Sequence, residues 1–272
     1  MPLPAPSPDR TAVVTGASSG IGREIARCLA QRGYGLTLVA RREDRLRALA
    51  AEVGEAHDVR VEVVPTDLTD AAARERLVAA VAERGLAASI LVNGAGLSTV
   101  GPVHRSDPAA EVAMIRTDVE AVAHLCSLLL PGMVERGAGG VLNVGSTAAF
   151  QPLPGQAGYA AAKAFVVSYS QALRAELRGT GVSVTALCPG PVDTEFAEVA
   201  GFDRAEAAAA LPRFMWVPAA EVAAAGVDGL DRGRAVVVPG AANRAGAAGA
   251  RLAPRSLLLP LLARRHPGLR RR

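Results

Sequence analysis

Short, continuously apolar runs alternate with longer mixed stretches along most of this chain. The runs at 11–15, 35–40, 59–64, 89–93, 140–145, 182–187 and 235–238 are mostly rich in Val, Leu and Ile. Strands covered on both faces have this character, because neither face presents polar groups to water. The stretches between them, 20–32, 43–54, 69–85, 108–135, 156–179 and 218–231, read as helices. Strand–helix repetition predicts right-handed βαβ crossovers. The expected fold class is α/β, a single doubly wound parallel sheet of about seven strands with helices on both faces. No domain-scale linker appears before about residue 241, and no repeat has a solenoid period. We expect a disordered lead-in over 1–10, one domain over 11–240 and a separate tail over 241–272.

Composition narrows this picture. Half of the 272 residues are apolar but only 3% are aromatic, so Ala, Val and Leu must build the core. No apolar run approaches the ~20 residues that span a bilayer. Residues 1–10 carry four prolines and no apolar segment of the kind that directs secretion. Cys28, Cys126 and Cys188 are odd in number and lack metal or redox spacing, which suits a reduced, cytoplasmic protein. His57, His104, His124 and His266 are scattered, so no metal site is expected. The net charge is +4, yet residues 241–272 hold eight arginines and no acid. Subtracting the tail's +8 leaves −4 on the body, which disfavours nucleic acid as its partner.

The first strand runs into Thr15-Gly16-Ala17-Ser18-Ser19-Gly20-Ile21-Gly22 and then a helix. Glycines allow a tight turn and close approach of backbone to a pyrophosphate, while the helix N-terminus offers free N–H groups and a positive dipole end. Such a loop in the first βαβ unit points to a Rossmann-like dinucleotide site. After the second strand the chain reads Val39-Ala40-Arg41-Arg42, with no acid before Glu43. A ribose-reading carboxylate is missing. Two guanidiniums stand there that either clamp a 2′-phosphate or begin a solvated helix. NADP(H) is the expected cofactor, with NAD(H) the alternative.

Among 30 Lys and Arg residues there is one lysine, Lys163, four positions after Tyr159. On a helix this spacing stacks the two side chains on one face. A nearby ammonium favours phenolate, so we expect Lys163 to lower the Tyr159 pKa from its reference of about 10 and fit the phenol for proton exchange.

Together these residues resemble the short-chain dehydrogenase/reductase family over 11–240. Thr15 to Gly22 matches its TGxxxGxG loop, and Asp67-Leu68 matches the acid and neighbour that hold the adenine. Asn93-Gly94-Ala95-Gly96 is similar to the NNAG turn, with Gly94 in place of the second Asn. Ser146 precedes Tyr159 by the family's thirteen residues, Tyr159 to Lys163 matches YxxxK, and Pro189-Gly190-Pro191-Val192-Asp193-Thr194 matches the PG turn. The resemblance implies hydride transfer between NADPH and a carbonyl or alcohol, in a homo-oligomeric enzyme. Tyr159 would exchange the proton, Lys163 would bind the nicotinamide ribose, and Ser146 would hold the substrate oxygen. Phe150 and Phe196 would stand beside the substrate. The implied cofactor contacts are Gly16, Ser18, Ser19, Gly20, Ile21, Gly22, Arg41, Arg42, Asp67, Leu68, Asn93, Gly94, Ala95, Tyr159, Lys163, Pro189, Gly190, Val192 and Thr194.

One position departs from the pattern. Asp118 in Met114-Ile115-Arg116-Thr117-Asp118-Val119 stands where the family has an asparagine, its fourth catalytic residue. That asparagine acts largely through its main chain, kinking the helix and holding a water in a relay to the lysine. An aspartate keeps the backbone role and adds a carboxylate near Lys163. Taken singly, the residues have plainer accounts: Ser146 as a strand end, Tyr159 as a half-buried helix residue, Asn93 as a turn former. A sensor that binds NADP(H) without turnover, or a membrane-recruited scaffold, therefore remains the rival reading.

Phe196, Phe202, Phe214 and Trp216 concentrate four of the nine aromatics in 195–217, the segment that the resemblance makes a lid over the substrate. Either they cover an apolar, lipophilic carbonyl substrate or they pack against the body or a second subunit. In the tail, Leu257–Leu259 and Leu261–Leu262 lie between arginine pairs. That combination suits an anionic membrane surface and peripheral attachment, a partner subunit, or disorder.

Overall fold

Alternate residues of β1 (Arg10–Thr15) enter opposite cores: Ala12 and Val14 face one, Val13 the other. This is the two-sided burial that the continuous apolar runs predict. The computed structural model describes residues 3–201, 212–265 and 267–270. Its remaining strands are β2 (Leu36–Ala40), β3 (Val61–Pro65), β4 (Ala87–Asn93), β5 (Gly139–Val144), β6 (Val182–Leu187) and the short β7 (Val236–Val237). All pairings are parallel, in the order β3-β2-β1-β4-β5-β6-β7. The expected fold is therefore the observed one. The chain reverses direction across the sheet between β1 and β4, so a crevice opens beyond their C-terminal ends.

Helices α1 (Gly20–Gln31), α2 (Glu43–His57) and α8 (Ala219–Asp231) cover one face. Helices α3 (Ala71–Glu83), α5 (Ala121–Glu135) and α6 (Ala157–Glu176) cover the other. Leu29, Leu230, Leu125 and Met133 are fully buried in these layers. Each such side chain contributes roughly 1.5–3 kcal/mol of transfer free energy.

The stretch expected as one helix over 108–135 contains a break. α4 (Pro108–Ile115) passes into a π-helical turn, Arg116–Glu120, before α5 begins. Such a turn widens the helix by one residue and is common at functional sites. Asp118 lies within it and is completely buried. Arg74 of α3, also fully buried, pairs with Glu120 at the end of the turn.

Both chain ends make defined contacts with the sheet domain. The lead-in described from Leu3 onward is not loose: Leu3 N donates to Asp231 at 2.9 Å, and Tyr34 donates to Pro4 O at 2.8 Å. A Cβ at Gly140 would stand 2.6 Å from Leu3 Cδ2, so glycine makes room for this packing. The tail folds as α9 (Ala241–Leu252), α10 (Arg255–Arg265) and α11 (Pro267–Arg270). Buried Asn243 of α9 donates to Met215 O and Pro239 O, at 2.9 and 3.1 Å. Ala247 joins Phe150, Val167, Ala186 and Cys188 in a third apolar cluster. Thus α9 continues the body instead of leaving it at 240.

Candidate active site

Strand β1 ends at Thr15, whose hydroxyl donates to Val92 O of β4 and accepts from the N–H groups of Gly94 and Ala95. This clamp draws the two loops of the crevice together. Gly16 takes φ +70°, and a Cβ there would lie 2.7 Å from Ala95 N. A Cβ at Gly22 would lie 2.4 Å from Gly16 O. The glycines are thus required by close approach as well as by backbone conformation. Helix α1 begins after Ser19 with no side-chain cap and no acid in its first turn. Its N–H groups are left for an anion.

Arg42 completes this cradle. Its guanidinium donates to Ser18 Oγ at 3.1 Å and Ser19 Oγ at 2.8 Å. Arg41, paired with it in the sequence reading, is exposed, and its side chain has no hydrogen bond or ion pair among the described residues. Arg45, one turn along α2, joins Arg42 instead: both hold Glu195. A cavity of about 220 Å³ adjoins the glycine loop and is lined by Ser19, Gly20, Arg23, Thr194 and Glu195 among others. The residues present fit a phosphate-bearing nucleotide.

The other expected cofactor contacts divide. Asp67 is exposed and accepts from Thr69 N and Oγ1 at 3.0 and 2.9 Å, while Leu68 is buried. The Asn93 side chain faces inward, donating to Asn143 Oδ1 at 2.8 Å, and Asn143 donates to Ser170 at 2.9 Å. It braces β4 to β5 and α6. Pro189 O accepts from Thr147 N, Gly190 packs against Asn243, and Val192 joins the first core with Ile21. Thr194 accepts from Phe196 N and lies beside Gly20.

The chemistry gathers where the π-helical turn meets α6. Lys163 Nζ lies 2.9 Å from Asp118 Oδ2, donates to Val144 O at 3.1 Å, and sits 5.7 Å from the centre of the Tyr159 ring. Asp118 Oδ1 accepts from Leu97 N at 2.8 Å. Ser146 caps a 3₁₀ turn, Thr147–Phe150, by accepting from Ala148 N. Phe196, at the start of α7 (Phe196–Val199), lies 5.6 Å from Tyr159 between ring centres.

The electrostatics correct one expectation. Burial pushes the Tyr159 phenol above its ordinary range, and the opposing pull of Lys163 and Ser146 does not reverse it. Burial is the largest cause, and the Asp118 carboxylate and Cys188 add smaller upward pushes. Burial alone would depress the Lys163 ammonium, but Asp118 and Tyr159 hold it above the usual lysine value. Burial raises the Asp118 carboxyl against the pull of Lys163 and of the Leu97 N–H.

Phe150 lies buried in the third cluster beneath Arg251, whose guanidinium stands 4.1 Å from its ring. Of the expected lid, 202–211 with Phe202 lies outside the described residues. Phe214 is 74% exposed, so the described residues cover little of it. No group of His, Cys, Asp and Glu suited to a metal occurs among the described residues. Arg45, Glu195 and Asn243 escaped the sequence reading. Only Arg45 left a signal there, being one turn beyond Arg42 on the same helix.

The short chain dehydrogenase family matches this chain over residues 10–204. The chain belongs to that family. It is 39% identical over 186 residues to sulfoacetaldehyde reductase 2 of Chromohalobacter salexigens, covering 68% of this chain and 73% of that one. It is 38% identical to the NADP-dependent 3-hydroxy acid dehydrogenase YdfG of Escherichia coli, covering 69% and 75%. Its fold is similar to a Sphingobium yanoikuyae short-chain dehydrogenase in complex with NADPH, with TM-score 0.78, 34% identity and coverage of 89% and 93%. It is also similar to L-sorbose reductase of Gluconobacter frateurii complexed with NADPH and L-sorbose, with TM-score 0.76, 26% identity and coverage of 87% and 97%. This family member is an oxidoreductase of the dehydrogenase/reductase type.

Proposed function

We propose that this protein is an NADP(H)-dependent oxidoreductase in which Tyr159 is the general acid and base for a carbonyl or alcohol substrate. The observation that carries the reading is the Arg42 guanidinium on Ser18 and Ser19, beside an uncapped helix N-terminus. The bound cofactor supplies hydride chemistry; the chain supplies binding, orientation and a proton. The glycine loop and α1 would hold the pyrophosphate, and Arg42 with Arg45 the 2′-phosphate. Lys163 would bind the nicotinamide ribose hydroxyls. In the reducing direction Tyr159 donates its phenolic proton to the substrate oxygen, and Ser146 donates a hydrogen bond to that oxygen as charge develops. Tyr159, protonated at neutral pH at the ordinary tyrosine value and raised further by burial, holds the proton that reduction requires. Phe196 against Tyr159 gives the substrate site one apolar wall, in keeping with a substrate that is apolar next to its carbonyl. NADPH titration followed by cofactor fluorescence, with turnover of a panel of ketones, aldehydes and oxo acids, tests the reading. NADPH binding without turnover of any of them would favour the sensor alternative.

The tail supports a second proposal, peripheral contact with an anionic membrane. Leu252, Leu257 and Leu261 are exposed among Arg251, Arg255 and Arg264. No helix among the described residues is long and apolar enough to cross a membrane. Flotation with anionic vesicles at low salt tests this. Failure to float leaves the exposed leucines to a second subunit, consistent with the homo-oligomer expected, whose mass light scattering would read.

A further inference from the structure

Glu195 lies 150 residues from Arg45 in sequence, yet its carboxylate joins two guanidiniums of the nucleotide cradle. Arg42 Nη1 stands 2.8 Å from Oε2, and Arg45 Nη1 stands 2.6 Å from Oε1 and 2.8 Å from Oε2. The same Arg42 donates to Ser18 and Ser19 of the glycine loop. A carboxylate thus takes, through one Nη1 of each guanidinium, charged donors that a 2′-phosphate would require. The next residue, Phe196, lies against the Tyr159 ring. Cofactor cradle and proton donor are joined through two adjacent residues.

We propose that Glu195 is a specificity-determining residue that competes with the cofactor's 2′-phosphate for Arg42 and Arg45, so that a phosphate-bearing cofactor releases the 195–199 segment and shifts Phe196 on Tyr159. The inference rests on the NADP(H) reading above. A phosphate dianion carries more charge and more acceptor oxygens than a carboxylate, so it wins the two guanidiniums. NADH has only a 2′-hydroxyl and leaves Glu195 in place.

The device does not respond to physiological pH. Hydrogen bonds from Arg42 and Arg45 hold the Glu195 carboxyl at about 2. A depressed carboxyl keeps its ion pair above its unfolded pKa and loses it only as pH falls through the folded value. A competing anion is therefore the means of release under ordinary conditions. The three side chains are each about 40% exposed, so the competition is modest in size.

Glu195→Gln removes the competing charge at nearly constant volume. From the worth of exposed ion pairs, NADPH should bind roughly two- to tenfold tighter, and NADH should change by less than about twofold. A second measurement reads the segment itself. In the wild type, adenosine 2′,5′-bisphosphate should speed amide hydrogen exchange across 196–201, whereas adenosine 5′-phosphate should not. Weaker NADPH binding by Glu195→Gln would show that Glu195 orients the arginines for phosphate and would overturn the proposal. Unchanged exchange with the bisphosphate would overturn it too. Should wild type fail to bind NADPH at all, the cofactor reading fails first, which separates the two outcomes.

Discussion

Asp118 Oδ2 lies 2.9 Å from Lys163 Nζ, and both side chains are buried. The ammonium that should favour the Tyr159 phenolate is thereby shared with a carboxylate. In reduction, Tyr159 must be protonated, so the rate falls as pH rises through its pKa. Asp118→Asn preserves an oxygen for the Leu97 N–H and removes a charge that adds to the effect of burial in raising the phenol. The basic limb of the kcat/KM profile should therefore move to lower pH. An unmoved limb would mean that Asp118 acts only through its bond to Leu97.

Tyr159→Phe deletes one hydroxyl and preserves the ring against Phe196. General acid–base groups contribute about 10²- to 10⁴-fold, so turnover should fall by at least that lower figure. NADPH affinity, measured by fluorescence, should stay near the wild-type value. Activity within a few-fold of wild type would remove Tyr159 from the proton step.

Arg42 and Arg41 should behave differently despite being neighbours. Arg42 touches Ser18 and Ser19, whereas Arg41 is exposed without a partner among the described residues. Arg42→Ala should weaken NADPH binding by roughly 10- to 150-fold, from a charge-assisted contact of about 1.5–3 kcal/mol. NADH binding should change far less. Arg41→Ala should affect NADPH less than Arg42→Ala does. Calorimetric titration of both variants with both cofactors checks the order, and equal losses for NADPH and NADH would deny Arg42 the phosphate.

Asn243 ties α9 to Met215 O and Pro239 O from a buried position. Asn243→Ala leaves two carbonyls without their donor and should cost about 1–3 kcal/mol in urea unfolding. A loss under about 0.5 kcal/mol would show that water replaces the amide and that α9 is not bound to the body through this residue.

The parallel sheet, the glycine loop and the order of Ser146, Tyr159 and Lys163 were legible in the sequence because each rests on local rules. Two-sided burial makes strands continuously apolar, and helical spacing sets Lys163 beneath Tyr159. Tertiary structure alone decided which arginine faces the loop, because the turn between β2 and α2 sends Arg42 inward and leaves Arg41 outside. It also decided the direction of the Tyr159 pKa, in which burial outweighs the pull of Lys163 and Ser146, a balance that no spacing encodes. Asn93 was legible as the start of the turn after the fourth strand, but its inward bond to Asn143 depends on β4 pairing with β5. The capture of Glu195 by Arg42 and Arg45, like the docking of α9 through Asn243, joins segments far apart in the chain. Such contacts exist only once the sheet has brought its edges and loops together.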